Sequence, residues 1–376
     1  MRRPITAKSS LRLWQPCEPA VKHCSLLAIT TEKEGREIIM YSKLLVPLDG
    51  SPLAEKALPY AVLLAKRLNA HLLLVQTLRL GPRVNGTSEA EKSEIKNAEA
   101  YLERVREILT DRVLATRLAP EQVQTLVVYD EPMGELPLIA EMEKADLIVM
   151  TTHGHTGIGR LILGSHAAEV VQHSRLPVIL IRPFELNLHS LTALLSDQVT
   201  FSPDLANRPI IVTLDGTAQA ELAIVPALEI AQGLGSKICL LRVVAPVIPT
   251  NPAYLVSAYG SYYGSEIAQE SRHRHHEPYQ YLDELQLRLG EKGVDCLKMV
   301  CEGDAAKEIV AYARKLQAGM LVMATHARGK TGEVFVGSVA EEVMRHSSLP
   351  VMLINMRLYS NPKNQPEPKE VTATAG

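Results

Sequence analysis

A glycine-spaced stretch, THGHTGIGRLILGS (152–165), lies between the apolar run ADLIVM and a segment with helical spacing. At a helix start, Gly164 and Ser165 would offer free backbone N–H groups, a hydroxyl and the positive end of the helix dipole, which suit phosphate oxygens. Plain strand-to-helix turns also need glycine for their geometry. The stretch by itself therefore leaves a phosphate cradle and a structural turn equally open.

An internal repeat organises the chain. Residues 43–78 match residues 209–244 without a gap at an offset of 166, and the glycine stretch matches residues 325–338 at an offset of 173. Each copy alternates short apolar runs, rich in Val, Ile and Leu, with longer amphipathic segments, as is typical of parallel strands buried on both faces. Five strands and four helices per copy predict an α/β fold: two doubly wound, five-stranded parallel-sheet domains in tandem, Rossmann-like and suited to nucleotides.

The repeat also predicts the domain ranges. Residues 1–39 differ in character from the rest, and we interpret them as a disordered or non-native extension. The other predicted ranges are domain 1 over 41–184, a linker over 185–206, domain 2 over 207–357 and a disordered tail over 358–376.

The composition argues against several classes of protein. A net charge of −2 provides no field that would attract nucleic acid or an acidic membrane surface. No apolar stretch approaches the ~18 residues that suggest a membrane span. Five dispersed cysteines without CxxC spacing indicate neither a disulfide framework nor a zinc site. We therefore expect a cytoplasmic protein with no nucleic-acid or membrane partner.

Two aspartates are expected at the same sheet edge as the glycine stretch. Asp49 and Asp215 end the first strand of their copies, and ligands of doubly wound sheets bind outside the carboxyl ends of the strands. The glycine stretch follows strand four, so it belongs at that edge too.

With these residues in place, both copies resemble universal stress protein domains, over 41–184 and 207–357. ATP-binding members of that family carry G-x2-G-x9-G-[S/T] after strand four, beside an Asp that ends strand one. Copy one reads Thr151-x2-Gly154-x9-Gly164-Ser165, with VPLDGS at 46–51. The resemblance implies an adenine nucleotide as partner and ATP, with or without Mg²⁺, as the cofactor.

In copy one the resemblance implies a nucleotide site with two ends. Asp49, preceded by Pro47 and Leu48, would contact the ribose or adenine, and the backbone at Thr77 would line the adenine. Thr151 stands in place of the first glycine and is small enough for such a site. The implied phosphate-binding residues are Gly154, His155, Gly164, Ser165 and His166.

Copy two departs further from the family pattern. Ala324 and Ala327 replace the first two glycines, and a Cβ at Ala327 would hinder close approach of a phosphate. Arg328 and Lys330 add positive charge to the same loop. We expect the better site in domain 1 and leave binding by domain 2 open. The residues implied in domain 2 are Asp215, Val243, Arg328, Gly337 and Ser338.

Two other motifs fail as sites. RGKT (328–331) lacks the leading glycine of a P-loop, because that position is Ala324. His273, His275 and His276 cluster in a run that we predict to lie where a loop enters a solvated helix, whereas zinc needs about four ligands in tetrahedral array. The sequence therefore predicts no metal site.

Two apolar strands indicate how the copies meet. LPVILI (176–181) and LPVMLI (349–354) end their copies at a sheet edge, which must be paired or covered. We predict that they pair antiparallel within one chain and so imitate the family's homodimer. A homodimer of the whole chain is also left open.

Two main classes of function remain, with a third behind them. The preferred one is a tandem ATP-binding regulatory protein of the stress response, with slow ATP hydrolysis at most, because no dedicated general base is visible. We therefore assign no catalytic residues. The alternative is an interaction or scaffold protein of the same fold that binds no nucleotide. An enzyme of another doubly wound family ranks third, since fold alone permits it.

Overall fold

The computed structural model describes most of both copies. The described ranges are 41–78, 89–111, 118–129, 135–152, 163–182, 205–246, 264–325 and 336–356. The predicted extension over 1–39, almost all of the predicted linker and the predicted tail over 358–376 lie outside them. All the described ranges belong to one compact unit of the chain, Arg36–Gly376.

Domain 1 alternates strands and helices, as its pattern of apolar runs predicts. A short 3₁₀ turn, Ala54–Ala57, leads into the first helix. The strands are β1 (Lys43–Pro47), β2 (His71–Leu78), β3 (Val123–Tyr129), β4 (Leu147–Thr151) and β5 (Val178–Ile181). The helices are α1 (Leu58–Leu68), α2 (Glu89–Thr110), α3 (Leu136–Met142) and α4 (Ser165–His173).

Domain 2 repeats this order. Its first helical segment is divided into a single turn and a longer helix, α5 (Ala218–Glu221) and α6 (Ile224–Leu234). The later helices are α7 (Gly264–Gly290), α8 (Ala305–Lys315) and α9 (Ser338–His346). The strands are β6 (Ile210–Leu214), β7 (Ile238–Val244), β8 (Cys296–Glu302), β9 (Met320–Thr325) and β10 (Val351–Asn355).

The described strands form one ten-stranded sheet with the order β3-β2-β1-β4-β5-β10-β9-β6-β7-β8. Neighbours within each half run parallel, so the predicted doubly wound fold is confirmed. The chain reverses its direction of travel across the sheet between β1 and β4, and again between β6 and β9. Those two reversals are the topological switch points at which such sheets bind ligands.

The two halves join through an antiparallel pair of strands, as predicted. β10 pairs with β5, and Met352 lies opposite Ile179 in the register. Both side chains are buried, which is why the two apolar edges are stable only when they meet.

Side chains at equivalent positions reinforce this junction in both directions. Asn355 Nδ2 donates to the carbonyl oxygens of Gln172 (2.7 Å) and Val171 (3.3 Å), in the last turn of α4. Arg182, the counterpart of Asn355, donates to the carbonyl oxygen of Arg345 (2.5 Å), in the last turn of α9. Each domain therefore donates a hydrogen bond to the end of a helix in the other domain, where the last carbonyl groups have no intrahelical partners.

One prediction about the helices is wrong. The histidine run does not lie where a loop enters a helix, because α7 begins at Gly264 and continues through it. Pro278 is buried inside this helix, although proline is more typical of a first helical turn. Among the described helices, none has the length and apolar character needed to cross a membrane.

Candidate functional site

The candidate site of domain 1 lies at the carboxyl edge of β1 and β4, which are neighbours in the sheet. Pro47 ends β1, and the buried Leu48 donates its N–H to the carbonyl oxygen of Val75 on β2 (2.8 Å). This bond extends the pairing of β1 with β2 to the residue before Asp49. Thr151 is the last residue of β4 and is buried, while Thr77 is half-buried near the end of β2.

The two aspartates are held in the same kind of turn. Asp49 Oδ1 accepts a hydrogen bond from the Ser51 N–H (2.9 Å). Asp215 Oδ1 accepts from both the N–H (2.9 Å) and the hydroxyl (2.6 Å) of Thr217. The intervening glycine has a φ of +78° in domain 1 and +89° in domain 2, values that favour glycine. Both carboxylates are thus fixed at the predicted edge of the sheet.

A tyrosine and a glutamate lie beside each aspartate, and the sequence analysis did not find them. Tyr101 on α2 donates its hydroxyl proton to Glu55 Oε1 (3.1 Å). Burial, together with the carboxylates of Glu55 and Asp49, raises the pKa of Tyr101 well above its usual value. The tyrosine therefore stays protonated and serves as a donor.

In domain 2, Tyr281 and Glu221 are the counterparts of Tyr101 and Glu55. Burial and the carboxylates of Glu221 and Asp215 raise the pKa of Tyr281 in the same way. The glutamates share the 166-residue offset of the repeat and could have been noticed. The tyrosines are 180 residues apart, because the two copies differ in length on both sides of the helix, so the ungapped match does not pair them.

The phosphate end of the predicted site is the start of α4. Gly164 is the N-cap of this helix, and its N–H donates to the carbonyl oxygen of Thr152 (2.8 Å), which ties the helix start to the end of β4. Ser165 and His166 are exposed in the first turn. The N–H groups of a first turn have no intrahelical acceptor, and the helix dipole adds partial positive charge there. This end can therefore receive an anion.

The start of α9 differs at two described positions. Gly337 adopts a φ of +109°, whereas Gly164 has −61° and needs no glycine for its backbone. Ser338 is exposed, as Ser165 is, but Val339 takes the place of His166. Domain 2 thus lacks one side chain that could donate to a phosphate.

Three residues of the predicted site are not among the described residues. Gly154, His155 and Arg328 lie outside the described ranges, in the segments before α4 and α9. Val243, the counterpart of Thr77, is half-buried near the end of β7. Within the described part of the chain, no group of three or more His, Cys, Asp or Glu side chains could hold a metal ion.

Comparison with known proteins identifies the family. A model of the universal stress protein family matches residues 40–182 and 206–355. Universal stress protein MJ0531 of Methanocaldococcus jannaschii is 31% identical over 166 residues, which are 43% of this chain and 92% of that protein. Universal stress protein YxiE of Bacillus subtilis is 30% identical over 151 residues, which are 38% of this chain and all of that protein.

One solved structure matches most of this chain in fold. The crystal structure of a universal stress protein from Archaeoglobus fulgidus has a TM-score of 0.58 and covers 84% of this chain and 98% of its own. Because the two sequences are only 18% identical, this similarity supports the fold alone. The two family matches, by contrast, span most of the sequence, one for each copy. The chain therefore belongs to the universal stress protein family.

Proposed function

We propose that this protein is an adenine-nucleotide-binding regulatory protein of the stress response, that ATP is its ligand, and that domain 1 carries the better site. The observation that supports this most is the arrangement at the β1–β4 switch point. There, a fixed carboxylate, Asp49, and the helix start at Gly164-Ser165 follow two neighbouring strands at the same carboxyl edge of the sheet. A nucleotide has a polar sugar and base at one end and phosphates at the other, so this pair of features suits it.

Among the described residues of domain 1, none covers the glycine that follows Asp49. No atom of the described residues lies within 4 Å of the position that a Cβ on Gly50 would take. The backbone next to Asp49 is therefore open to close approach. The first turn of α4 would hold phosphate oxygens through N–H groups and the Ser165 hydroxyl, and His166 would add an imidazole N–H donor.

The same residues give little support to rapid hydrolysis. A general base must reach the attacking water, and the carboxylates described here are engaged elsewhere. Asp49 accepts from the Ser51 N–H, and Glu55 accepts from Tyr101. We infer that ATP acts as an effector and is hydrolysed slowly at most.

Two measurements test the proposal. Mass spectrometry of the purified protein after denaturation should detect co-purified adenine nucleotide, and calorimetric titration of nucleotide-free protein should show ATP binding. Gly164→Val should weaken binding at least about tenfold, because the bulky side chain at the N-cap would obstruct the approach of phosphate to the first turn of α4. Losing one charge-assisted phosphate contact costs roughly 1.5 to 3 kcal/mol.

Gly337→Val in domain 2 is the matched control. Its φ of +109° strains any β-branched residue, so a lower melting temperature is expected there, with little change in ATP affinity. Equal losses of affinity in both variants would refute the preference for domain 1. No binding by the wild type would favour an interaction or scaffold protein that uses the fold without a nucleotide.

A further inference from the structure

Arg242 lies near the end of β7 and is held in one place by two neighbours on α7. Its Nη1 donates to Glu277 Oε1 (3.1 Å). Its guanidinium carbon lies 5.2 Å from the centre of the Tyr281 ring, within the range of a cation–π interaction. Only 14% of the Arg242 side chain is exposed, although Glu277 is 72% exposed. The arginine is thus packed against the protein at a sheet edge where a long cation could have extended into solvent.

The place it occupies is the turn that carries Asp215. A Cβ added to Gly216 would lie 2.8 Å from Arg242 Nη2 and 2.9 Å from its Cζ. The guanidinium therefore rests directly on the backbone of Gly216. Asp215 is the counterpart of Asp49, so Arg242 covers the backbone that the proposed nucleotide would approach if domain 2 bound it as domain 1 does.

Domain 1 has neither the cation nor its anchor at the matching positions. Gln76 takes the place of Arg242 at the 166-residue offset, and Asn97 takes the place of Glu277 at the 180-residue offset that pairs the tyrosines. At Gly50, the counterpart of Gly216, no described atom lies within 4 Å of the point that an added Cβ would occupy. A charged pair covers the turn in domain 2, whereas two neutral amides leave it open in domain 1.

We propose that Arg242 is an internal occupant of the domain 2 site, and that it determines which of the two domains binds nucleotide. The inference rests on the proposed function, because it takes the Asp49 turn as part of a nucleotide site. A ligand of domain 2 must first displace the guanidinium from Gly216, Tyr281 and Glu277. Breaking these contacts costs free energy, which makes the binding free energy of a domain 2 ligand less favourable by the same amount.

Reciprocal exchange of the two residues tests this proposal. Wild type, Arg242→Gln and Gln76→Arg would each be titrated with ATP by calorimetry after nucleotide removal, and the number of sites per chain would be fitted. Arg242→Gln should gain a second site beside the first. Gln76→Arg, combined with Asn97→Glu to supply the anchor, should weaken the first site at least about tenfold.

Glu277→Gln gives a milder variant that keeps Arg242 in the protein. Because Glu277 is largely exposed, this change should leave the melting temperature nearly unaltered. It should weaken the hold on Arg242 and give a second site of lower affinity than Arg242→Gln gives.

The outcomes separate the two proposals. If the wild type binds one ATP and a stably folded Arg242→Gln variant still binds only one, the role of Arg242 is refuted and the proposed function stands. A loss of affinity in Arg242→Gln would make Arg242 a ligand-binding residue, which also overturns the inference. If only Arg242→Gln binds ATP, Arg242 does block domain 2, but nucleotide binding by domain 1 is refuted, and with it the role of Arg242 in choosing between the domains. No binding by any variant overturns both.

Discussion

Replacing Met352 by alanine tests whether the junction between the domains is a packed core. Met352 lies on β10, between β5 of domain 1 and β9 of its own domain, and its side chain is 0% exposed. Methionine-to-alanine changes at fully buried positions cost about 2 to 5 kcal/mol, from lost transfer free energy and the cavity left behind. Because the Met352 side chain is fully buried, we expect a free energy of unfolding at least about 2 kcal/mol lower.

Met142 provides the matched control for the same chemical change. It ends α3 with 74% of its surface exposed, so Met142→Ala should alter the free energy of unfolding by no more than about 0.5 kcal/mol. Urea unfolding followed by circular dichroism would measure both variants against the wild type. A loss below about 1 kcal/mol for Met352→Ala, or equal losses in the two variants, would show that the halves do not share a core at this strand pair.

Three further predictions concern single side chains. Asn355→Leu should lower the free energy of unfolding by about 1 to 3 kcal/mol in urea, because it leaves the Gln172 carbonyl without its donor in a part-buried place. Arg182→Leu should cost less, since water can reach the Arg345 carbonyl, and a larger loss there would contradict this reasoning. Burial raises the pKa of Cys239 from 9.0 to about 11, so the thiol's contribution to stability is complete below pH 9 and is lost as the pH rises through 11. The stability difference between wild type and Cys239→Ala should therefore shift against the wild type over that window, by no more than about 2 to 3 kcal/mol; a difference that does not change with pH would refute the shift.

The fold could be predicted because its signals are local and occur twice. Continuous apolar runs such as KLLVPL and DLIVM indicate strands buried on both faces, and the repeat confirms each element against its copy. The antiparallel junction follows from two apolar strands that would otherwise be exposed edges. The aspartates and the helix start at Gly164 lie at the predicted edge for the same topological reason.

The rest of the site depends on contacts between residues far apart in sequence. Tyr101 meets Glu55 across 46 positions, and Arg242 meets Glu277 across 35. Neither contact produces a periodic pattern, and the change of offset within the second copy hides the correspondence of the tyrosines. The sequence does not place the start of α7 correctly, since this helix continues through Pro278, a residue type more typical of a first helical turn.

Joining two copies in one chain allows the two sites to differ, which a dimer of identical subunits does not. The residues that shape each turn are the same in both copies: an aspartate, a following glycine, a glutamate and a tyrosine. Two of the residues that differ lie where a ligand would approach, with Gln76 against Arg242 and His166 against Val339. The backbone of the turn is thus built alike in both domains, whereas the side chains beside it decide how open it is. An arrangement with one open and one covered site is therefore accessible to this chain through a few side chains, without any change of fold.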